Sequence, residues 1–212
     1  MSPGKVAAPV GEDLLERARR LATGGARAVL GIAGAPGAGK STLAERVVES
    51  VGRPAVLVPM DGFHLHDDVL ARLGLADRKG APETFDVAGY TALLRRLHTE
   101  TEHAVYAPSF DRSRELALAA VIAVEPWHRL VVTEGNYLLH DAPGWSSVLP
   151  LLDESWFVQA DEDVRLDRLV RRHVEHGKAP DAARRWATVS DQANAEIVAR
   201  TRKAADVVVD VG

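Results

Sequence analysis

The chain has 212 residues, enough for one compact domain with a sizeable core. Its 26 Lys and Arg against 30 Asp and Glu give a formal charge of −4, which argues against a globally basic nucleic-acid-binding surface. It has no cysteine, which excludes disulfides, thiolate catalysis and cysteine-ligated zinc. No apolar run approaches the ~20 residues of a membrane span, and Met1 to Val10 lacks the pattern of a signal peptide. A cytoplasmic protein without nucleic-acid or membrane partners is expected.

In chain order, Glu12 to Ala22 predicts an amphipathic helix with Leu14, Leu15, Ala18 and Leu21 on one face, ended by Thr23-Gly24-Gly25. Ala28 to Ala33 is a short apolar run before a glycine-rich loop and predicts a buried strand; Lys40 to Ser50 predicts a helix. Pro54 to Met60 predicts a second buried strand, Val87 to His98 a helix, Leu130 to Thr133 a third strand and Trp156 to Val158 a fourth. Asp163 to His176 predicts a helix ended by Gly177, Ala182 to Ala205 reads as largely helical, and Val207 to Val209 is a last strand. Ala104 to Val124 is read as an extra hairpin. Strands alternating with helices indicate an α/β protein with a mainly parallel sheet. With no internal repeat or low-complexity linker, residues 1–212 read as one domain, with an N-terminal helical segment over 1–27 and a short helical lid over 161–180.

Gly34-Ala35-Pro36-Gly37-Ala38-Gly39-Lys40-Ser41 fits G-x-x-x-x-G-K-[ST], preceded by an apolar strand and followed by a helix. A triphosphate needs many donors close to its oxygens. Glycines let the backbone wrap tightly, and the helix start contributes its positive end. The pattern predicts a three-layer P-loop nucleoside triphosphate hydrolase fold binding ATP and Mg²⁺ over Gly34 to Thr42. Lys40, read as a loop charge, would serve the β- and γ-phosphates, and Ser41 the metal.

Val56 to His64 places Asp61 just past a buried strand end, where open α/β sheets bind ligands. A carboxylate there can take a proton from an attacking hydroxyl or sit near Mg²⁺; alternatively, Asp61-Gly62 is a turn pair. Glu134 follows another apolar strand and precedes a glycine, a position suited to holding Mg²⁺. Motor ATPases carry an Asp-Glu pair at this position after a longer apolar run, whereas here Thr133 precedes Glu134, and the chain has no Asn-Lys-x-Asp segment that would read guanine.

These segments together resemble the superfamily of uridine kinase, phosphoribulokinase and bacterial pantothenate kinase. The resemblance rests on the P-loop, Met60-Asp61-Gly62-Phe63-His64, Arg78 to Asp86, Tyr106 to Arg112 and Glu134-Gly135-Asn136-Tyr137, and spans about 28 to 209. It is closest to a group labelled variously nucleoside or nucleotide kinase and fructokinase. It implies transfer of the γ-phosphoryl group of ATP to a hydroxyl of a nucleoside, sugar or pantothenate-like alcohol, with Asp61 as base. A nucleotide-dependent regulatory module is the reading from another class.

Within Asp163 to His176, Leu166, Leu169, Val170 and Val174 share one helical face, and Arg165, Arg168, Arg171 and Arg172 gather on the other. Such a face is either neutralised by Asp163, Asp167 and Glu175 or used as a lid whose guanidinium forks clamp phosphoryl oxygens. The resemblance to the uridine kinase lid points to Arg168 and Arg172. His64, Arg78, Tyr106 and Arg112 lie in aperiodic segments and are candidates for the acceptor side.

Overall fold

The computed structural model describes residues 11–211. The expectation for Met1 to Val10, and the first ten residues of the 1–27 segment, lie outside the described residues. Helix α1 (Glu12–Ala22) leads into β1 (Ala28–Gly34), the phosphate loop and α2 (Lys40–Val51). Next come β2 (Ala55–Leu57), a short 3₁₀ turn (Met60–Phe63), α3 (Asp67–Leu73) and α4 (Val87–Thr99). The strands β3 (Val105–Asp111) and β4 (Leu116–Val124) are followed by β5 (Leu130–Gly135) and β6 (Glu154–Gln159). Helices α5 (Glu162–Glu175) and α6 (Pro180–Ala199) precede β7 (Val207–Asp210).

Five strands form one sheet in the order β2-β5-β1-β6-β7, and every pairing is parallel. β1 is central, and all its residues after Ala28 are buried. A parallel strand covered on both faces needs that continuous apolar run rather than alternation. Its side chains divide between two cores. Val29 and Ala33 pack with Tyr90, Leu93, Leu94 and Leu97 of α4. Leu30 and Ile32 pack with Ala18 of α1 and Leu43, Ala44 and Val47 of α2. The result is a three-layer α/β fold.

β3 and β4 pair separately as an antiparallel hairpin, as expected for Ala104 to Val124. Its register shifts between Ala107 and Ser109. Pro108 falls at that irregularity, where a residue without an N–H disturbs the ladder least.

The structure departs from the sequence expectation most clearly at β2, at the long C-terminal helix and at α3, which the sequence reading did not predict. β2 stops at Leu57 rather than Met60, although Val58 N still donates to Val132 O at 2.8 Å; Pro59 has no N–H with which to extend the ladder. The long C-terminal helix ends at Ala199, with a separate 3₁₀ turn at Arg202–Ala204. α3 is too short, at seven residues, for its periodicity to stand out. It is capped instead by His66 Nδ1, which accepts from Asp68 N at 3.2 Å.

Candidate active site

The carboxyl ends of β1, β2 and β5 converge on one cleft of about 610 Å³ lined by Lys40, Ser41, Asp61, Glu134, Asn136 and Arg172. This is the size of a small-molecule site. At its base the phosphate loop turns through Gly37 (φ +79°) and Gly39 (φ +99°), left-handed conformations that favour glycine. At Gly37 space is also short: a Cβ would stand 2.7 Å from Arg165 O and 2.8 Å from Leu169 Cγ. α5 therefore rests on the loop. Gly39 provides no side-chain cap to α2, which leaves first-turn N–H groups for an anion.

Lys40 is not an exposed loop charge. It begins α2 and is only 7% exposed. Its Nζ donates to Asn136 Oδ1 at 2.7 Å and to Ala35 O at 3.1 Å. Burial pulls its pKa down to about 8, against the raising effect of Glu134 and Asp61. Beside it, Ser41 Oγ donates to Glu134 Oε1 at 2.9 Å. Burial raises the Glu134 carboxyl, and Lys40 opposes the shift. A hydroxyl and a carboxylate in contact at the loop are hard oxygen donors of the kind Mg²⁺ prefers. Thr42 is exposed on the first turn of α2 and does not line the cleft.

Asp61 sits on the 3₁₀ turn beyond β2, and Arg112 Nη2 donates to its Oδ2 at 2.9 Å. His64 Nδ1 is 2.8 Å from Asp61 O, and burial lowers the imidazole pKa. Gly62 has no room for a side chain, since a Cβ would be 2.5 Å from Pro108 O. The hairpin thus packs directly on the turn that carries Asp61.

The arginines of α5 divide rather than share one face. Arg172 lines the cleft, with burial and then Arg112 weighing against its charge. Arg168 lies to the side, its Nη1 3.7 Å from where a Cβ on Gly39 would stand, and does not line the cleft. Arg171 is exposed. Arg165 is buried, donating to Pro36 O at 3.3 Å and to Gln192 Oε1. It therefore belongs to the packed face with Leu169, against the helical-wheel expectation, because long side chains reach past the nominal edge of a face. Val174, expected on the apolar face, is exposed.

Of the four expected acceptor residues, the structure brings His64 and Arg112 to the cleft and leaves two outside. Arg78 ends a 3₁₀ turn and pairs with Glu83 at 2.6 Å; its neighbour Lys79 takes the cleft position. Tyr106 is 59% exposed. On β3 the flanking Val105 and Ala107 point into the core, so strand alternation turns Tyr106 to solvent.

Other residues enter the cleft without having been singled out for it. Asn136 is one, and its signal was available, two positions after Glu134 on the strand's exit. His173 and Asp191 are another pair: Nε2 and Oδ2 are 2.7 Å apart, joining α5 to α6. Asn194 Nδ2 and Tyr137 Oη both donate to Gly80 O, at 3.3 and 2.6 Å. No spacing in the sequence links those helices to Gly80.

A parallel sheet with a phosphate loop at the tip of its central strand, and carboxylates at two neighbouring strand ends, defines a P-loop phosphotransferase acting on an alcohol group. The model of the phosphoribulokinase / uridine kinase family matches residues 29–212, and the chain belongs to that family. A crystal structure named as a "putative fructose transport system kinase" from Silicibacter sp. superposes with a TM-score of 0.84 at 37% identity, covering 95% of this chain and 100% of that one. A Schizosaccharomyces pombe protein named "putative uridine kinase" is 35% identical over 175 residues, 78% of this chain and 74% of that protein. The uridine kinase of Halobacterium salinarum is 28% identical over 188 residues, 86% of this chain and 80% of that one.

Proposed function

We propose that this chain is a cytoplasmic ATP-dependent kinase that moves the γ-phosphoryl group to a hydroxyl of a small molecule: a nucleoside, a sugar such as fructose, or a pantothenate-like alcohol. The single observation that carries the reading is the meeting of Lys40, the Ser41–Glu134 pair and the Asp61–Arg112 pair in one cleft. The family implies ATP use, and the residues fit it: a glycine-turned loop, a buried ammonium, and adjacent hydroxyl and carboxylate oxygens. On this reading residues 34–42 hold the nucleotide, Ser41 and Glu134 hold Mg²⁺, and residues 161–180 act as the lid of one catalytic domain. Among the described residues no helix is long and apolar enough to cross a membrane.

Bound Mg·ATP supplies the activated phosphoryl group. The protein's part is alignment and charge neutralisation, because phosphoryl transfer asks little covalent chemistry of the enzyme. Asp61 receives the acceptor's hydroxyl proton on a carboxylate oxygen, while Arg112 holds the other oxygen and fixes the rotamer. Lys40 and Arg172 donate to phosphoryl oxygens as charge spreads over them. Arg168 serves the nucleotide from beside Gly39. The test is acceptor-dependent ADP release across nucleosides, hexoses and pantothenate, with Asp61→Asn as control. ADP release indifferent to every acceptor, or equal in Asp61→Asn, would sink the proposal.

A further inference from the structure

The Lys40 ammonium rests on two neutral oxygens. Its Nζ donates to Asn136 Oδ1 at 2.7 Å and to Ala35 O at 3.1 Å. An ammonium has three N–H donors and no acceptor, so one donor remains for a phosphoryl oxygen. Because Lys40 can only donate, the amide of Asn136 must present its oxygen to Nζ. A carboxylate stands near as well. Burial works against the charge on Lys40, and Glu134 favours it. Yet Glu134 Oε1 takes the hydrogen bond of Ser41 Oγ at 2.9 Å.

The sheet carries Asn136 to this point. β5 runs parallel to β1 with Gly135 opposite Ala33, so the chain leaves β5 level with the start of the phosphate loop. Gly135 lets that exit lie close on the turn that carries Asp61: a Cβ there would stand 2.6 Å from Met60 Cβ. The next residue, Tyr137, is fully buried and donates to Gly80 O at 2.6 Å. Its ring lies 5.7 Å from that of Phe85 and 5.4 Å from that of Trp145. Asn136 therefore sits between two anchored neighbours, is itself only half-buried, and lines the cleft.

A neutral acceptor at this position has a physical reason. A carboxylate would hold Lys40 in a buried ion pair and would add a further negative charge to Asp61 and Glu134, against the phosphates. An apolar side chain would free the ammonium to turn to Glu134 and draw that carboxylate from Ser41. An amide oxygen holds the ammonium without neutralising it.

We infer that Asn136 is a positioning residue: its amide oxygen aims the Lys40 ammonium at the nucleotide phosphates and keeps it off Glu134, so that Lys40 and the Ser41–Glu134 pair act separately. This rests on the proposed kinase reading, in which Lys40 serves phosphate and the pair serves the metal.

The experiment is a double-mutant cycle on the full chain. Mg·ATP affinity is measured by titration to millimolar nucleotide, with thermal melts alongside. Asn136→Ala is expected to weaken Mg·ATP binding about 10-fold, the scale of one hydrogen bond to a charged group. The same change made in Lys40→Met is expected to cost less than about 2-fold, because the group it acts through is gone. Asn136→Ala should also raise severalfold the Mg²⁺ concentration needed for half-maximal ATP binding. Asn136→Ser carries the same cycle if the alanine variant melts early. Asn136→Asp keeps the shape and is expected to bind Mg·ATP at least as weakly as Asn136→Ala. Wild-type affinity in Asn136→Ala or Asn136→Asp, or equal losses with Lys40 and with Met at position 40, overturns the inference and leaves the kinase reading standing. The expected cycle with no acceptor ever phosphorylated ends the kinase reading and leaves Asn136 positioning Lys40. A wild-type chain that binds no Mg·ATP ends both.

Discussion

Arg112 on the hairpin and Asp61 on the turn after β2 are joined by a 2.9 Å charged hydrogen bond across 51 residues of sequence. The pair is partly exposed, with side chains 43% and 24% accessible, so it contributes at most about 1 kcal/mol to folding. Its value lies in aiming the carboxylate. Arg112→Ala is expected to leave the melting temperature almost unchanged while turnover falls by about 10- to 100-fold. Unchanged turnover would show that Asp61 needs no such support.

Asp61→Asn keeps the size of the side chain and removes its ability to take a proton. ATP affinity measured by calorimetry is expected to persist while the transfer rate falls by about 10² to 10⁴. Weaker Mg·ATP binding in this variant would instead give Asp61 a metal role. A small stability loss with normal turnover would reduce it to a turn residue.

On the proposed assignment, Lys40 should link nucleotide binding to pH. Its pKa falls from 10.5 to about 8 in the folded protein. Between those values the unfolded chain holds more protons, so this residue's contribution to stability rises with pH across the window and is lost as pH falls through about 8. Lys40→Met should lack that rise in thermal melts. Phosphate favours the charged ammonium, so wild-type nucleotide affinity is expected to weaken above pH 8, with proton uptake visible by calorimetry in buffers of different ionisation enthalpy. Lys40→Ala should also lose about 10² or more in rate. Affinity that is flat from pH 7 to 10 would contradict the assignment.

Glu134 accepts from Ser41 at 2.9 Å. Glu134→Gln retains shape and removes a hard anionic ligand. The Mg²⁺ concentration for half-maximal rate is expected to rise severalfold at fixed ATP, and an unchanged requirement would release Glu134 from the metal.

Two arginines of α5 should separate cleanly. Arg172→Ala is expected to lower turnover more than it weakens ADP binding, because its fork acts on charge that develops during transfer. Arg165→Ala strips the buried donor from Pro36 O and should lower stability by about 1–3 kcal/mol. If Arg172→Ala changes only the melting temperature, its role is structural.

The phosphate loop, the two strand-end carboxylates and the run of parallel strands could all be read from the chain, because each is written in consecutive residues with a fixed period. β1 and α1 matched their apolar runs closely. Contacts made by elements distant in sequence were another matter. His173 and Asp191 lie on two helices, Asn194 reaches back to Gly80, and Arg165 turns inward although its wheel position placed it outward. Tyr106 failed for a simpler reason: a motif segment fixes which residues are near, and strand alternation decides which of them face the ligand.

The close approach of Gly62 to Pro108 O gives the hairpin, a jaw over Asp61, a fixed seat. The seat sets how far Phe110, Arg112 and Glu115 stand from Asp61, and none of those three side chains forms part of it. The hairpin and the turn that supplies the base are thus different pieces of chain, joined by this backbone stop, by Arg112 on Asp61 and by Phe110 against His64. An engineer who rewrites positions 110 to 115 to admit a new alcohol has to keep Arg112, because it also holds Asp61. An alanine at position 62 moves both pieces apart at once, and should blunt every specificity the jaw can be given.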